Sequence, residues 1–175
     1  MPAPITRADV VRHFPRMLQS LPSLLAWIFG TSLAAIGGAV TARQAGAFYA
    51  TLDRPAWAPP GWLFGPAWSV LYVVMGIAAW RIWREQGFAG ARVELSLYAV
   101  QLLLNAAWSW FFFVRRTGVG ATVEVVCLWL AILLTLIAFW RQDTVAGLLL
   151  LPYLGWVTFA TALTVSVWRR NPTLL

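Results

Sequence analysis

The chain has 175 residues, of which 61% are hydrophobic and only 11% charged, against about 25% charged in a soluble domain. That balance excludes an ordinary water-soluble domain. Basic residues outnumber acids by thirteen to six, but every one is an arginine, and most sit at the ends of apolar runs where membrane anchors and topology signals belong. A nucleic-acid binder would need a basic stripe on a folded surface, so no nucleic-acid partner is expected.

Residues 1–20 form a polar tail carrying Arg7, Asp9, Arg12, His13 and Arg16. The apolar run behind it is about 20 residues long, beyond the ~7–15 of a signal-peptide core, so the first helix is expected to be retained. Apolar runs fall at 21–40, 65–83, 94–114, 119–140 and 145–168, each near the ~20 residues that a spanning helix needs. They are apolar all round, whereas barrel strands alternate. The expected fold is all-α, an integral membrane five-transmembrane-helix bundle over 21–170, followed by a short tail at 171–175. Five spans put the termini on opposite sides. Seven arginines would lie on the N-terminal side and six on the other, a difference that sets no orientation. Gly30, Ala34 and Gly38 offer one small-residue packing face in the first span.

Between the first and second spans lies "RPAWAPPGWLFGPAW", Arg54 to Trp68, with four prolines and three tryptophans. Pro59–Pro60 should keep the preceding chain extended. Pro66 suits a first helical turn, where its missing N–H costs nothing. Gly61 and Gly65 form a G-x-x-x-G that reads here as turn chemistry. The segment should lie as a stiff apolar cover over the bundle mouth, with one of Trp57 and Trp62 turned to the interior and the other to the interface.

Polar groups within the spans carry the most information, because leaving them unpaired in lipid is costly. In the second span Trp68, Tyr72 and Met75 share a helix face. In the third, Tyr98, Gln101, Asn105 and Trp108 do. In the fifth, Tyr153, Trp156, Ala160 and Leu163 follow the same spacing, just after Pro152, which frees a backbone carbonyl about four residues earlier. Turned inward, these stripes would wall a pocket with indoles, phenols and amides, the composition for a flat, mostly apolar ligand. Turned on each other, they would be packing. Trp80, Trp83, Trp140 and Trp168 at span ends read as interfacial belt residues. Glu124, the acid well inside a span, lacks the second titratable group a proton relay would use. It is expected to pair with a polar neighbour near the interface.

Cys127 is alone and His13 is the single histidine, so no disulfide framework and no Cys/His metal cluster is expected. No Ser/His/Asp set, glycine-rich phosphate loop or carboxylate pair is visible, and no obligatory cofactor is implied.

Three segments together resemble a known family. Pro55, Trp57, Pro59, Pro60, Trp62, Phe64 and Trp68 with Leu71–Tyr72 and Met75–Gly76, then "QLLLNAAW" in the third span and "LPYLGW" in the fifth, are similar to the tryptophan-rich sensory protein, or TspO/MBR, family, whose mitochondrial branch holds the translocator proteins. The resemblance covers roughly Leu21 to Arg170. It implies a five-helix membrane protein, usually a homodimer, that binds porphyrins such as protoporphyrin IX in a pocket under the first loop. Ligand-contact residues would be Trp68, Tyr72, Asn105, Trp108, Tyr153, Trp156, Ala160 and Leu163, with Trp57, Pro59 and Pro60 covering them. The propionates would reach Arg54 or Arg43 at the mouth. The expected function is a sensor or carrier. Two alternatives are a light-dependent porphyrin-degrading enzyme using Trp68 and Trp156, and a lipid or sterol transporter. The translocator branch carries a sterol-recognition pattern near the end of its fifth helix. Here Val165 replaces its tyrosine and Thr164 the preceding asparagine, which counts against sterol handling. The arginine-only composition suggests a bacterial cytoplasmic membrane, with the mitochondrial outer membrane left open.

Overall fold

A computed structural model describes residues 20–33 and 46–175. Within them, α1 spans Ser20–Leu33 and a short helix occupies 46–51. A 3-10 turn at Gly61–Leu63 leads into α2 (Phe64–Gly90), followed by α3 (Arg92–Ser109), α4 (Gly118–Gln142) and α5 (Thr144–Arg170). There is no strand among the described residues. Four of these helical segments are long and apolar enough to cross a membrane, and α1 is a shorter apolar helix alongside them. The protein is an integral multi-pass membrane protein with an all-α bundle. The 34–40 part of the first expected span, Ala34 and Gly38, Arg43, and the tail through residue 19 lie outside the described residues.

The helices overrun the apolar runs. Arg84, Glu85 and Gln86 end the second run, but all three are good helix formers. So α2 continues past Trp83 to Gly90, bent at Gly87, whose φ of +65° is a conformation that glycine alone adopts cheaply. The expected loop between the second and third spans is thus almost entirely helix. The third span ends in a π-helical turn, Trp110–Val114, in which the Arg115 N–H reaches the Trp110 carbonyl at 2.9 Å.

Short connections force antiparallel neighbours. Asp143 alone separates α4 from α5, and those two helices share the longest interface, with α3 against α4 and α5 against α2. Asp143 caps α5 by accepting from the backbone N–H of Val145 (2.8 Å) and Ala146 (3.3 Å). It also accepts from Arg81 Nε of α2 at 2.6 Å. Beside it Gln86 donates to Gln142 at 2.7 Å, and Gln142 donates to Glu94 at 3.0 Å. This end of the bundle is a polar clasp across α2, α3 and α4.

Helix α1 docks through close approach and hydrogen bonds. A Cβ on Gly76 would stand 2.8 Å from the Ile28 Cα, so α2 tolerates no side chain there. Thr31 donates to the Trp27 carbonyl and accepts from the Tyr98 hydroxyl at 2.8 Å. Two expected belt tryptophans belong to this joint instead. Trp80 is buried and donates to Ser23 Oγ at 3.0 Å, and Trp83 packs against Trp27 and Phe88. Both fell at a run's end only because the helix outlasts the apolar run. Trp168 lies directly over Gly118, whereas Trp140 stays exposed.

Burial pulls the Asp143 carboxyl upward, but the hydrogen bond from Arg81, the two capping N–H groups and the guanidinium charge outweigh it. The carboxyl is held below the usual aspartate range. A group depressed in the folded state stabilises fully above its unfolded pKa, and the contribution disappears as pH falls through the folded one. Asp143→Asn keeps a capping oxygen and removes the charge. At pH 7 it should cost about 1 kcal/mol, given the partial exposure of Arg81. Thermal unfolding in detergent should show that gap closing as pH falls below the ordinary aspartate range.

Candidate ligand site

The stripes on α2, α3 and α5 converge on one interior. Tyr72, Met75, Tyr98, Gln101, Asn105 and Tyr153 are all buried. The Tyr72 hydroxyl donates to Asn105 Oδ1 at 2.8 Å, and Asn105 Nδ2 donates to the Tyr153 hydroxyl at 3.0 Å. One amide therefore ties three helices. Against this polar node Trp68 stacks on Tyr72 with ring centroids 5.5 Å apart. It meets Tyr153 and Trp156 edge to face at 6.1 and 6.5 Å. Phe64 and Phe159 complete the cluster against Trp156 at 5.9 and 5.7 Å.

Several interior polar atoms have no hydrogen-bond partner among the described residues, including the indole N–H of Trp108 and of Trp156, both ends of the Gln101 amide, and both oxygens of Glu124. The expectation that Glu124 pairs with a polar neighbour is overturned. Its side chain is buried within the bundle, one turn from Ala121 and Leu128 on the inward side of α4. Each unpaired buried group costs about 1–3 kcal/mol, and such groups mark where an added partner gains most.

The mouth is covered by more than the proline-rich stretch. The short helix 46–51 and its continuation insert Phe48, Tyr49 and Leu52 against Phe112, Leu163 and Val167. The Tyr49 hydroxyl donates to the Pro59 carbonyl at 3.3 Å, and its ring meets Phe64 at 5.6 Å and carries Arg54 at 4.9 Å. Burial raises the Tyr49 phenol above its usual value, against the opposing pull of Arg54. Pro60 is extended, with ψ of 146°, as its sequence requires. Asn171, just past α5, clamps the loop twice: it accepts from the Asp53 N–H at 2.9 Å and donates to the Asp53 carbonyl at 2.9 Å. Arg170 adds an ion pair to Asp53 at 3.6 Å. Trp57 packs on Phe159 at 5.8 Å and so reaches the aromatic cluster, while Trp62 is 72% exposed.

A groove of about 470 Å³ runs between α2 and α5 on the lipid side, lined among others by Pro66, Val70, Pro152, Gly155 and Trp156. It touches the cluster at Trp156. A larger hollow of about 790 Å³ lies between α4 and α5 and contains none of these site residues.

Residues 24–169 match the TspO/MBR family. The chain belongs to that family. It is 39% identical over 140 residues to the tryptophan-rich protein TspO of Chlorobaculum tepidum, covering 78% of this chain and 87% of that one. It is 39% identical over 149 residues to protein CrtK of Rhodobacter capsulatus, covering 83% and 91%. To the human translocator protein it is 40% identical over 126 residues, covering 71% and 75%. Family membership places it among membrane proteins named for sensing and translocation.

Of the residues the TspO/MBR resemblance nominated, Trp68, Tyr72, Asn105, Tyr153 and Trp156 form one connected cluster. Trp108 bridges this core and the plug under the loop, packing against both and stacked on Phe112 at 5.5 Å. Leu163 belongs to the plug under the loop, and Ala160 is buried between the two on α5. Pro59 contributes a carbonyl, and Pro60 is exposed. The sequence reading missed Phe48, Tyr49 and Leu52. Their spacing of one and three is a single helical turn with one apolar face, the signal that was available.

Asn171→Ala should loosen the cover. Trypsin is blind to it, because Arg54 precedes a proline. Chymotryptic cleavage after Trp57 and Trp62 should instead accelerate several-fold while the bundle remains intact. An unchanged rate would mean that the apolar plug holds the loop unaided.

Proposed function

We propose that the protein is a membrane-embedded binding protein, a sensor or carrier, for a flat, largely apolar tetrapyrrole of the porphyrin type. The observation that carries this reading is the Trp68–Trp156 pair set against the Tyr72–Asn105–Tyr153 node, with the Trp156 indole N–H meeting no acceptor among the described residues. Indole faces offer area to a conjugated ring, and an unpaired donor suits a ligand with few but well-placed oxygens. The relatives' sensory and translocator names are consistent with recognition of a hydrophobic ligand rather than with soluble chemistry.

The clamped loop closes the mouth, while the α2–α5 groove reaches Trp156 from the bilayer. On this reading an apolar ligand partitions into lipid first and approaches between those helices. Carboxylates on its rim would face the mouth, where Arg54 lies over Tyr49. Ionised carboxylates and guanidinium form strong charge-assisted hydrogen bonds. A homodimer, as the family resemblance implies, belongs to the same proposal and is tested by mass measurement in detergent.

Protoporphyrin IX titrated in the dark should quench tryptophan fluorescence saturably. Trp68→Ala and Trp156→Ala should each weaken binding about tenfold or more, equivalent to ~1.4 kcal/mol, with helicity and thermal unfolding near the parent's. Unchanged affinity in both variants would remove the site assignment. Illumination of the saturated sample separates a binder, whose porphyrin band persists, from a degrading enzyme, whose band bleaches in a manner dependent on these tryptophans.

A further inference from the structure

The turn between α3 and α4 carries two uncommon backbone features. Trp110–Val114 is a π-helical turn, a geometry that recurs at functional sites. Two residues later Arg116 has a φ of +50°, the one positive φ outside glycine among the described residues. Thr117 then restarts the helix at once, accepting from the Gly120 N–H at 3.0 Å. A reversal this tight needs a left-handed residue, but it does not need an arginine. Glycine and asparagine adopt that conformation more readily, and backbone strain of this kind collects at functional positions.

The side chain supplies the reason for an arginine. The Arg116 guanidinium lies over the Phe48 ring, 4.4 Å from its centroid. On the next residue of the same short helix, Arg54 lies over Tyr49 at 4.9 Å. Both rings belong to the buried plug at the mouth. One cation thus reaches the plug from a helix turn and the other from the cover itself. Neither arginine makes an ion pair among the described residues, and the acid of the cover, Asp53, is taken by Arg170. A guanidinium stacked on a ring uses its face and leaves its N–H edge free. Arg116 is exposed, so that edge stands open as a preformed fork for a carboxylate. Closing the cover also brings Arg54 to the end of the bundle that already holds Arg115, Arg116 and Arg170, and like charges oppose the approach. An anion held there relieves part of that repulsion.

We infer that Arg116 is the latch of the cover: a ligand carboxylate on its free edge fixes the guanidinium over Phe48 and holds the plug shut. The identity of the ligand rests on the tetrapyrrole reading above; the latch adds a residue to it and a consequence of binding. An arginine that merely snorkels from the helix turn would add charge to the mouth without tying an anion to Phe48. With the latch, the same ligand in ester form fills the aromatic site and leaves the cover loose.

Full-length protein in phosphatidylcholine nanodiscs, digested with chymotrypsin in the dark, tests this. The rate of cleavage after Trp57 is read without ligand, with protoporphyrin IX and with its dimethyl ester, each at saturation of tryptophan quenching. Both compounds should quench, but only the diacid should slow cleavage, by about tenfold, the worth of one hydrogen bond to a charged group. Arg116→Asn keeps a residue at ease with positive φ and removes the guanidinium. Without ligand it should be cut about two- to fivefold faster, the size of one exposed cation–π contact. It should still quench with both compounds and should lose the difference between them. Arg116→Lys keeps the charge without the flat stacking face, and Phe48→Leu keeps an apolar plug without the ring; each should lose most of the difference. Arg92→Gln, at the opposite end of the bundle, should change nothing. Equal protection by diacid and ester, or full protection of Arg116→Asn, would overturn the latch and leave the aromatic site standing. Full protection of Arg116→Lys would show charge acting without the stack on Phe48, and would overturn it too. Quenching by neither compound would overturn the tetrapyrrole reading, and the latch with it.

Discussion

The Asn105 amide reaches two other helices at once, accepting from Tyr72 and donating to Tyr153. In water such a bond would be a minor addition to a hydrophobic core. In a bilayer, apolar faces gain little by leaving lipid tails for one another, so satisfied polar atoms and close backbone contacts decide which faces meet. With 3.6 residues per turn, a slip of one residue in α2 or α5 would rotate its tyrosine about 100° away from Asn105. The register that satisfies the amide is also the one that brings Trp68 edge to face with Trp156. The aromatic cluster therefore depends on a hydrogen-bond node that contributes no large surface of its own.

The two ends of the bundle are closed by different physics. At the α4–α5 link, Asp143 caps a helix and holds Arg81 while Gln142 joins Gln86 to Glu94. Opening there would break capping and ionic bonds together. At the mouth, a short helix presses Phe48, Tyr49 and Leu52 onto helix ends, held by Asn171 and Asp53. That cover makes no bond to Asn105, so it can lift without changing the register of the spans. Local opening draws on segments with few dependent contacts, and here the mouth is such a segment and the clasp is not.

Much of this was legible in the sequence, for an identifiable reason. Helical spacing is a property of the chain alone, so the stripes through Trp68, Asn105 and Trp156 could be written down before any packing was known. Hydropathy proved a poor guide to helix ends, because Arg84, Glu85 and Gln86 leave the apolar phase without leaving the helix. That is why Trp80 and Trp83 read as belt residues and turned out to grip α1. Glu124 shows a different limit. Its type predicts a partner, but which face of α4 turns inward is set by Ala121, Leu128 and their neighbours, and no described residue meets it there. The loop's proline content announced stiffness, but not that the residues just before it would dive into the bundle.

Aromatic spacing by itself does not separate a binding stripe from a packing stripe, since both put rings on one face. Polar satisfaction adds a second distinction. Tyr98 ends on Thr31, and Asn105 ends on two tyrosines; those positions are complete within the protein. Trp108 and Trp156 bury indole N–H groups that meet no acceptor among the described residues, at positions where a smaller or wholly apolar side chain would avoid the cost. Gln101, one turn from Asn105 on the same face, is unpaired at both ends, so α3 carries a complete and an incomplete amide side by side. No periodicity distinguishes the two. The difference appears only when the partners arrive from α2 and α5.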